Sequence, residues 1–305
     1  MTFPLCEICG VDAWTTVYRG PVRDGIFGKV RDATVVCRCG GCGVERLDET
    51  ACPPDSFYEG DAYRAKLAKG LDSEAYFAEH DMLQLHTLKA IWPIDLRHAI
   101  VADIGCGGGS LLDHVRGWSA RQIAIEPSAV YRDALTARGY AAYPYAVDAA
   151  RDWAGRVDVA FSIQVVEHTR NPRAFLADIL PLLAPGGRLI ISTPNRSDIL
   201  FGLLPNDFPA FFYRVVHRWY FDADSLAACA RLAGYKVEKI CPSHRYGIGN
   251  MLRWLRDRKP TGNIAMDGIM PVADAFWSGY LESIGRSDCL YLVLTAIQHT
   301  AKEPS

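Results

Sequence analysis

The chain has 305 residues, half of them hydrophobic and 22% charged, with a formal net charge of -2. That balance belongs to a folded globular protein rather than a disordered one, and no apolar run approaches the roughly 20 residues of a membrane span. A slightly acidic chain also lacks the Lys and Arg excess that drives grip on a phosphate backbone, which puts nucleic acid at a disadvantage as a partner.

The length predicts one α/β core with an appendage. The appendage is expected at residues 1–55, a helical linker or lid at 56–97, and the main domain at 98–305 with an insertion at about 242–288. Met1 to Gly10 carries no basic-then-apolar signal pattern, so a cytoplasmic protein is expected.

Half of the 10 cysteines fall in the first 42 residues. Cys6-Glu7-Ile8-Cys9-Gly10 and Cys39-Gly40-Gly41-Cys42-Gly43 are two copies of a C-x-x-C-G knuckle, in which paired thiolates converge on one ion. Cys6, Cys9, Cys39 and Cys42 together predict a closed four-thiolate shell, the donor set of structural zinc, in a small zinc-ribbon-like module. Cys37 is a competing ligand for the place of Cys39. A redox pair or unliganded thiols are the alternative reading of the cluster.

Pro53-Pro54 breaks the chain. From Ser56 to about Pro93, apolar residues Tyr76, Phe77, Met82, Leu83, Leu85, Leu88 and Ile91 recur three or four apart, which predicts a helix pair. Beyond Arg97, short apolar strands alternate with helical stretches, the pattern of a parallel sheet wrapped by helices. The strands are predicted at 99–104, 122–126, 141–145, 157–163 and 188–193, with a sixth at 235–241 and a seventh at 289–297. The 47 residues between the last two exceed any simple hairpin and predict an inserted helical element.

The first of these strands runs into Asp103-Ile104-Gly105-Cys106-Gly107-Gly108-Gly109 and then a helix. Glycine there lets the backbone approach a ligand closely, Gly105 and Gly107 above all. Asp103 stands two positions before the first glycine, where it suits the ammonium of an amino-acid-bearing cofactor and would repel a pyrophosphate. Glu126, 21 residues after Gly105 at the end of the second strand, can accept both hydroxyls of a ribose.

With these residues in place the chain resembles class I methyltransferases over about Ala99 to Ile297, through D-I-G-C-G-G-G and the acid at Glu126. The resemblance implies S-adenosylmethionine as cofactor and a seven-stranded Rossmann-like sheet of order 3-2-1-4-5-7-6, helices on both faces, the seventh strand antiparallel. It also implies an adenine contact from Asp148. Gln164-Val165-Val166-Glu167-His168 resembles the V-x-E-H segment of the members that modify quinones, sugars and other small acceptors, with Gln164 lining the cofactor and His168 facing the transferred methyl.

His168 is the side chain best suited there to take a proton near neutral pH, and His217, in an H-x-x-x-F stretch, is the second candidate. Either could equally be a packing histidine. Tyr58, Tyr63 and Arg64 resemble an element that closes over the cofactor. The layout is similar to that of sugar-tailoring members, so the expected acceptor is a sugar, a nucleotide sugar or a natural-product hydroxyl, with the aromatic stretch from Phe201 to Phe221 as pocket wall. An RNA methyltransferase gripping nucleic acid through its zinc module, and a non-catalytic cofactor-binding scaffold, are the competing readings; no N-P-P-Y-type motif follows the fourth strand.

Overall fold

Residues 4–25, 29–60, 62–66, 73–260, 262, 264 and 266–297 are described by the computed structural model. In chain order the strands are β1 (Trp14–Arg23), β2 (Val30–Cys39), β3 (Glu45–Leu47), β4 (Ile100–Ile104), β5 (Arg121–Ile125), β6 (Ala141–Tyr143), β7 (Val157–Ile163), β8 (Leu183–Pro194), β9 (Trp219–Tyr220), β10 (Tyr235–Ser243) and β11 (Cys289–Ala296). The helices are α1 (Ala62–Lys66), α2 (Ser73–Ile91), α3 (Ser110–Val115), α4 (Ala129–Ala137), α5 (Ala146–Trp153), α6 (Pro172–Ile179), α7 (Ile199–Leu203), α8 (Phe208–Phe212), α9 (Ala223–Leu232), α10 (Ile248–Asp257) and α11 (Pro271–Ser283).

Seven strands pair in the order β10-β11-β8-β7-β4-β5-β6. β4 through β8 are parallel to their neighbours, and β11 runs antiparallel to both β8 and β10. Numbered along the chain from β4 over the strands of this sheet alone, without β9, this is the expected 3-2-1-4-5-7-6 order. Alternation of side chains across each strand splits its residues between two cores. Ala102, Ile123, Ala160 and Ile191 face one, while Val101, Ala124, Phe161 and Ile190 face the other. Both faces are covered, so these strands read as nearly continuous apolar runs.

The predicted inserted element consists of α10 and α11. For α2 the predicted apolar stripe is only partly the packed one. Met82, Leu83 and Leu85 are exposed, while Gln84, Thr87 and Ile91 are buried, and the Thr87 hydroxyl lies 3.2 Å from that of Tyr291. Residues 84, 87 and 91 share the face that meets the sheet edge, so position on the helix decides burial over hydropathy.

The N-terminal segment forms a second sheet, β1-β2-β3-β9, whose fourth strand comes from the far end of the aromatic stretch. Trp219 and Tyr220 of β9 are both buried. Trp219 donates its indole N–H to Thr169 O at 2.9 Å, and the Arg46 guanidinium lies over its ring. Val22, Val36 and Leu47 of this sheet share a third core with Phe208, Phe212 and Trp254. Among the described residues no helix is long and apolar enough to cross a membrane.

Candidate functional site

At the carboxyl end of β4 the chain turns through Gly105, Gly107 and Gly109, all at positive φ. A Cβ on Gly105 would sit 2.5 Å from a Val165 methyl, and one on Gly107 2.5 Å from the Tyr76 ring. Tyr76 of α2 thus roofs the loop, its hydroxyl donating to Cys106 O at 3.2 Å and its ring stacked on His80 at 4.0 Å.

Beneath the loop Asp103 is 4% exposed. Burial, and then the charge of Glu126, push its carboxyl up to about 8. Burial also raises Glu126, against backbone N–H groups that hold its charged form: Oε2 accepts from Gly107 N at 2.8 Å and Oε1 from Ser128 N at 2.9 Å. Two buried acids beside bare backbone suit a ligand with a cationic end and a diol. The residues present therefore fit S-adenosylmethionine, with Asp103 for its ammonium and Glu126 for its ribose. Asp148 stands in the first turn of α5, its carboxylate 3.2 Å from Arg151.

The chain leaves β7 through Gln164 at φ 58, a left-handed turn that brings Nε2 to Ser192 Oγ at 3.2 Å and to Cys289 Sγ at 3.3 Å. The short turn Val166–His168 follows. His168 Nδ1 lies 2.6 Å from the Val216 carbonyl, to which the Tyr58 hydroxyl also donates. A carbonyl only accepts, so Nδ1 carries the proton and Nε2 keeps its lone pair.

Burial lowers the His168 pKa to about 4, so its neutral form holds across the ordinary pH range. His217 packs edge-on to His168, ring centroids 4.6 Å apart, and burial drives its pKa down as well. Glu167 is fully buried, and burial pushes its carboxyl up to about 7 against the opposing pull of its own backbone N–H and the Thr193 hydroxyl.

A cavity of about 340 Å³ opens at this edge of the sheet, within the size range of small-molecule sites. Tyr63, Gln164, His168 and His217 all line it, so four of the sequence-predicted residues converge there. Asp103, Gly105, Gly107, Glu126 and Asp148 do not line the cavity; the loop meets Val165 at Gly105, and the next residue back along the chain, Gln164, is in the cavity wall. The Arg64 side chain lies outside the described residues.

Sequence reasoning passed over Glu167, Arg23, Arg214 and Tyr76. Glu167 sat inside a motif valued for its histidine, and Tyr76 read as one more apolar position in a helix. Arg23 and Arg214 meet only because Arg23 N donates to Tyr213 O and Val215 N to Arg23 O, a pairing no local pattern announces.

In the N-terminal module the sulfurs of Cys6, Cys9, Cys39 and Cys42 lie within 4.8 Å of one another, with Cys6 to Cys42 at 3.7 Å and Cys9 to Cys39 at 3.5 Å. Bonds of about 2.3 Å in a tetrahedron put sulfurs about 3.8 Å apart, so this donor set fits a zinc ion. The Cys42 hydrogen bond lowers the Cys6 pKa, favouring a thiolate in the cluster. Cys37 stands apart, its sulfur 3.6 Å from Thr16 Oγ1.

A family model described as a methyltransferase domain matches residues 75–240. The ubiquinone biosynthesis O-methyltransferase of Maricaulis maris is 32% identical over 110 residues, 34% of this chain and 43% of that protein. Its counterpart in Xanthomonas oryzae pv. oryzae is 32% identical over 117 residues, 36% of this chain and 49% of that one. The chain thus spans under half the length of these curated relatives. Among solved structures, a SAM-dependent methyltransferase from Thermotoga maritima superposes with a TM-score of 0.49 at 18% identity, covering 74% of this chain and 94% of that one. Another from Archaeoglobus fulgidus gives 0.47 at 16% identity, covering 72% and 96%.

Proposed function

We propose that this chain, which belongs to the methyltransferase-domain family, transfers a methyl group from S-adenosylmethionine to a hydroxyl of a small-molecule acceptor held in the cavity beside His168. S-adenosylmethionine supplies a methyl already activated on a cationic sulfur, so alignment matters more than acid or base strength. Asp103 and Glu126 orient the cofactor from below the glycine loop, and Gln164 holds the turn between the two sites. His168 Nε2 accepts the hydroxyl proton while its Nδ1–H stays fixed on the Val216 carbonyl.

The observation that carries this reading is the neutral, tautomer-locked His168 in the cavity wall, on the turn whose Val165 packs against Gly105. Oxygen as the methylated atom is supported by the names of the relatives, and the cavity's size and aromatic lining support a sugar, nucleotide sugar or phenolic acceptor. Zinc is the ion we assign to the four thiols, with a structural role. Residues 1–55, 56–97 and 98–305 are read as zinc module, lid and catalytic domain, boundaries that the shared β1-β2-β3-β9 sheet crosses.

A labelled-methyl transfer screen over nucleotide sugars, phenolic metabolites and RNA tests the function, with His168→Ala as control. Transfer to a small hydroxyl acceptor, lowered about 10²- to 10⁴-fold by His168→Ala, is expected. Transfer to RNA alone, or an undiminished His168→Ala enzyme, would overturn the reading.

A further inference from the structure

Two guanidiniums share one wall of the cavity. Arg23 ends β1 and Arg214 follows α8, and backbone hydrogen bonds of 2.9 and 3.0 Å clamp the two strands of chain side by side. Arg23 lies over the Phe211 ring, 4.5 Å from its centroid, and lines the cavity beside it. Each of the two has a buried Nε–H with no acceptor, and among the described residues neither forms an ion pair.

The cavity's carboxylates do not meet this need. Asp288 is bound to Arg245 and His244, Asp198 caps the backbone N–H of Leu200, and Glu167 reaches no guanidinium within ion-pair distance. Unpaired cations this deep are costly, and the strain shows: burial, then the neighbouring Arg214 charge, lower Arg23 to about 9.

We propose that Arg23 and Arg214 form an anion-binding subsite that holds an acidic group of the acceptor, a carboxylate or a phosphate, while its hydroxyl lies at His168. The inference rests on the proposed methyl transfer and narrows its acceptor to acids. Guanidinium forks match both groups in planar, bidentate fashion. Glu167, His168 and His217 also cluster closely enough to ligate a metal ion. Two neighbouring guanidiniums oppose a dication there as strongly as they favour an anion.

Titration calorimetry on the full chain, saturated with S-adenosylhomocysteine, decides the matter. Inorganic phosphate and uridine diphosphate test the phosphate arm, with uridine as neutral counterpart; 3,4-dihydroxybenzoate tests the carboxylate arm, with catechol as its counterpart. We expect at least one acid to bind at least tenfold more tightly than its neutral counterpart, and Arg23→Gln and Arg214→Gln each to erase that margin while S-adenosylhomocysteine still binds. Equal binding of acids and neutral counterparts, an unchanged margin in both variants, or stabilisation by zinc or manganese but by no anion would overturn the subsite. Loss of S-adenosylhomocysteine binding by the wild-type protein would instead remove the proposed function on which it rests.

Discussion

Replacing Asp103 by Asn separates the charge of the proposed cofactor site from its shape. In the free protein the Asp103 carboxyl titrates near 8, so at pH 6.5 it holds its proton. A cofactor ammonium favours the carboxylate, and binding must expel that proton. Expulsion at pH 6.5 costs about 2 kcal/mol, from 1.36 kcal/mol for each pH unit below the pKa. The ion pair formed is worth on the order of 4 kcal/mol for charges about 4 Å apart in an effective dielectric near 20.

The difference leaves a net gain of about 2 kcal/mol, about 30-fold in affinity, which Asp103→Asn forfeits. Calorimetry of S-adenosylmethionine binding at pH 6.5, in buffers of different ionisation heats, counts the proton. One is released by the wild-type protein and about one fewer by Asp103→Asn. Between pH 5.5 and 6.5, where the ligand ammonium stays charged, wild-type affinity rises about tenfold. Equal proton release by the two proteins, or equal affinities, would refute the pairing of Asp103 with the cofactor's cationic end.

Gly105→Ala places a methyl against Val165 at a left-handed φ, and should lower unfolding free energy in urea by about 1–3 kcal/mol; an unchanged midpoint would contradict the tight approach. Metal analysis of tag-free protein should find one zinc per chain, retained by Cys37→Ser and lost by Cys39→Ser; loss in the former would reassign the ligand. His168 is neutral in the folded chain down to about 4 and to 6.5 when unfolded, so the stability it gives is present above pH 6.5 and is lost as pH falls from 6.5 to 4, about 3 kcal/mol in all. Urea unfolding at pH 7, 6 and 5 should show a shallower acid loss in His168→Ala, and parallel curves for the two proteins would count against the buried neutral imidazole.

The main sheet was legible because parallel strands buried on both faces leave unbroken apolar runs, so β7 is found at the residues expected. The glycine loop was legible for a different reason: three positive-φ positions packed close to Val165, Tyr76 and Leu135 leave few alternatives to glycine. β9 was not, since two residues carry no period, and its pairing with β3 is long-range. The second charge set of the pocket was hidden likewise. Arg23 lies in a strand of alternating exposure and Arg214 in an aromatic stretch, and only the strand clamp between them makes a pair. The α2 stripe misled because Met82, Leu83 and Leu85 are exposed while Thr87 is buried in a hydroxyl contact with Tyr291 that hydropathy ignores.

The four-stranded N-terminal sheet borrows its last strand from beyond β8, and that loan governs how such chains can be recombined. A hybrid that exchanges only the cysteine-bearing segment would leave Trp219 and Tyr220 facing a foreign edge and would detach Arg23 from Arg214. Transplanting acceptor preference from one scaffold to another therefore requires two coordinated grafts, one ending past β3 and one spanning the aromatic stretch through β9, because the cysteine knuckles and the pocket wall are halves of a single architectural piece.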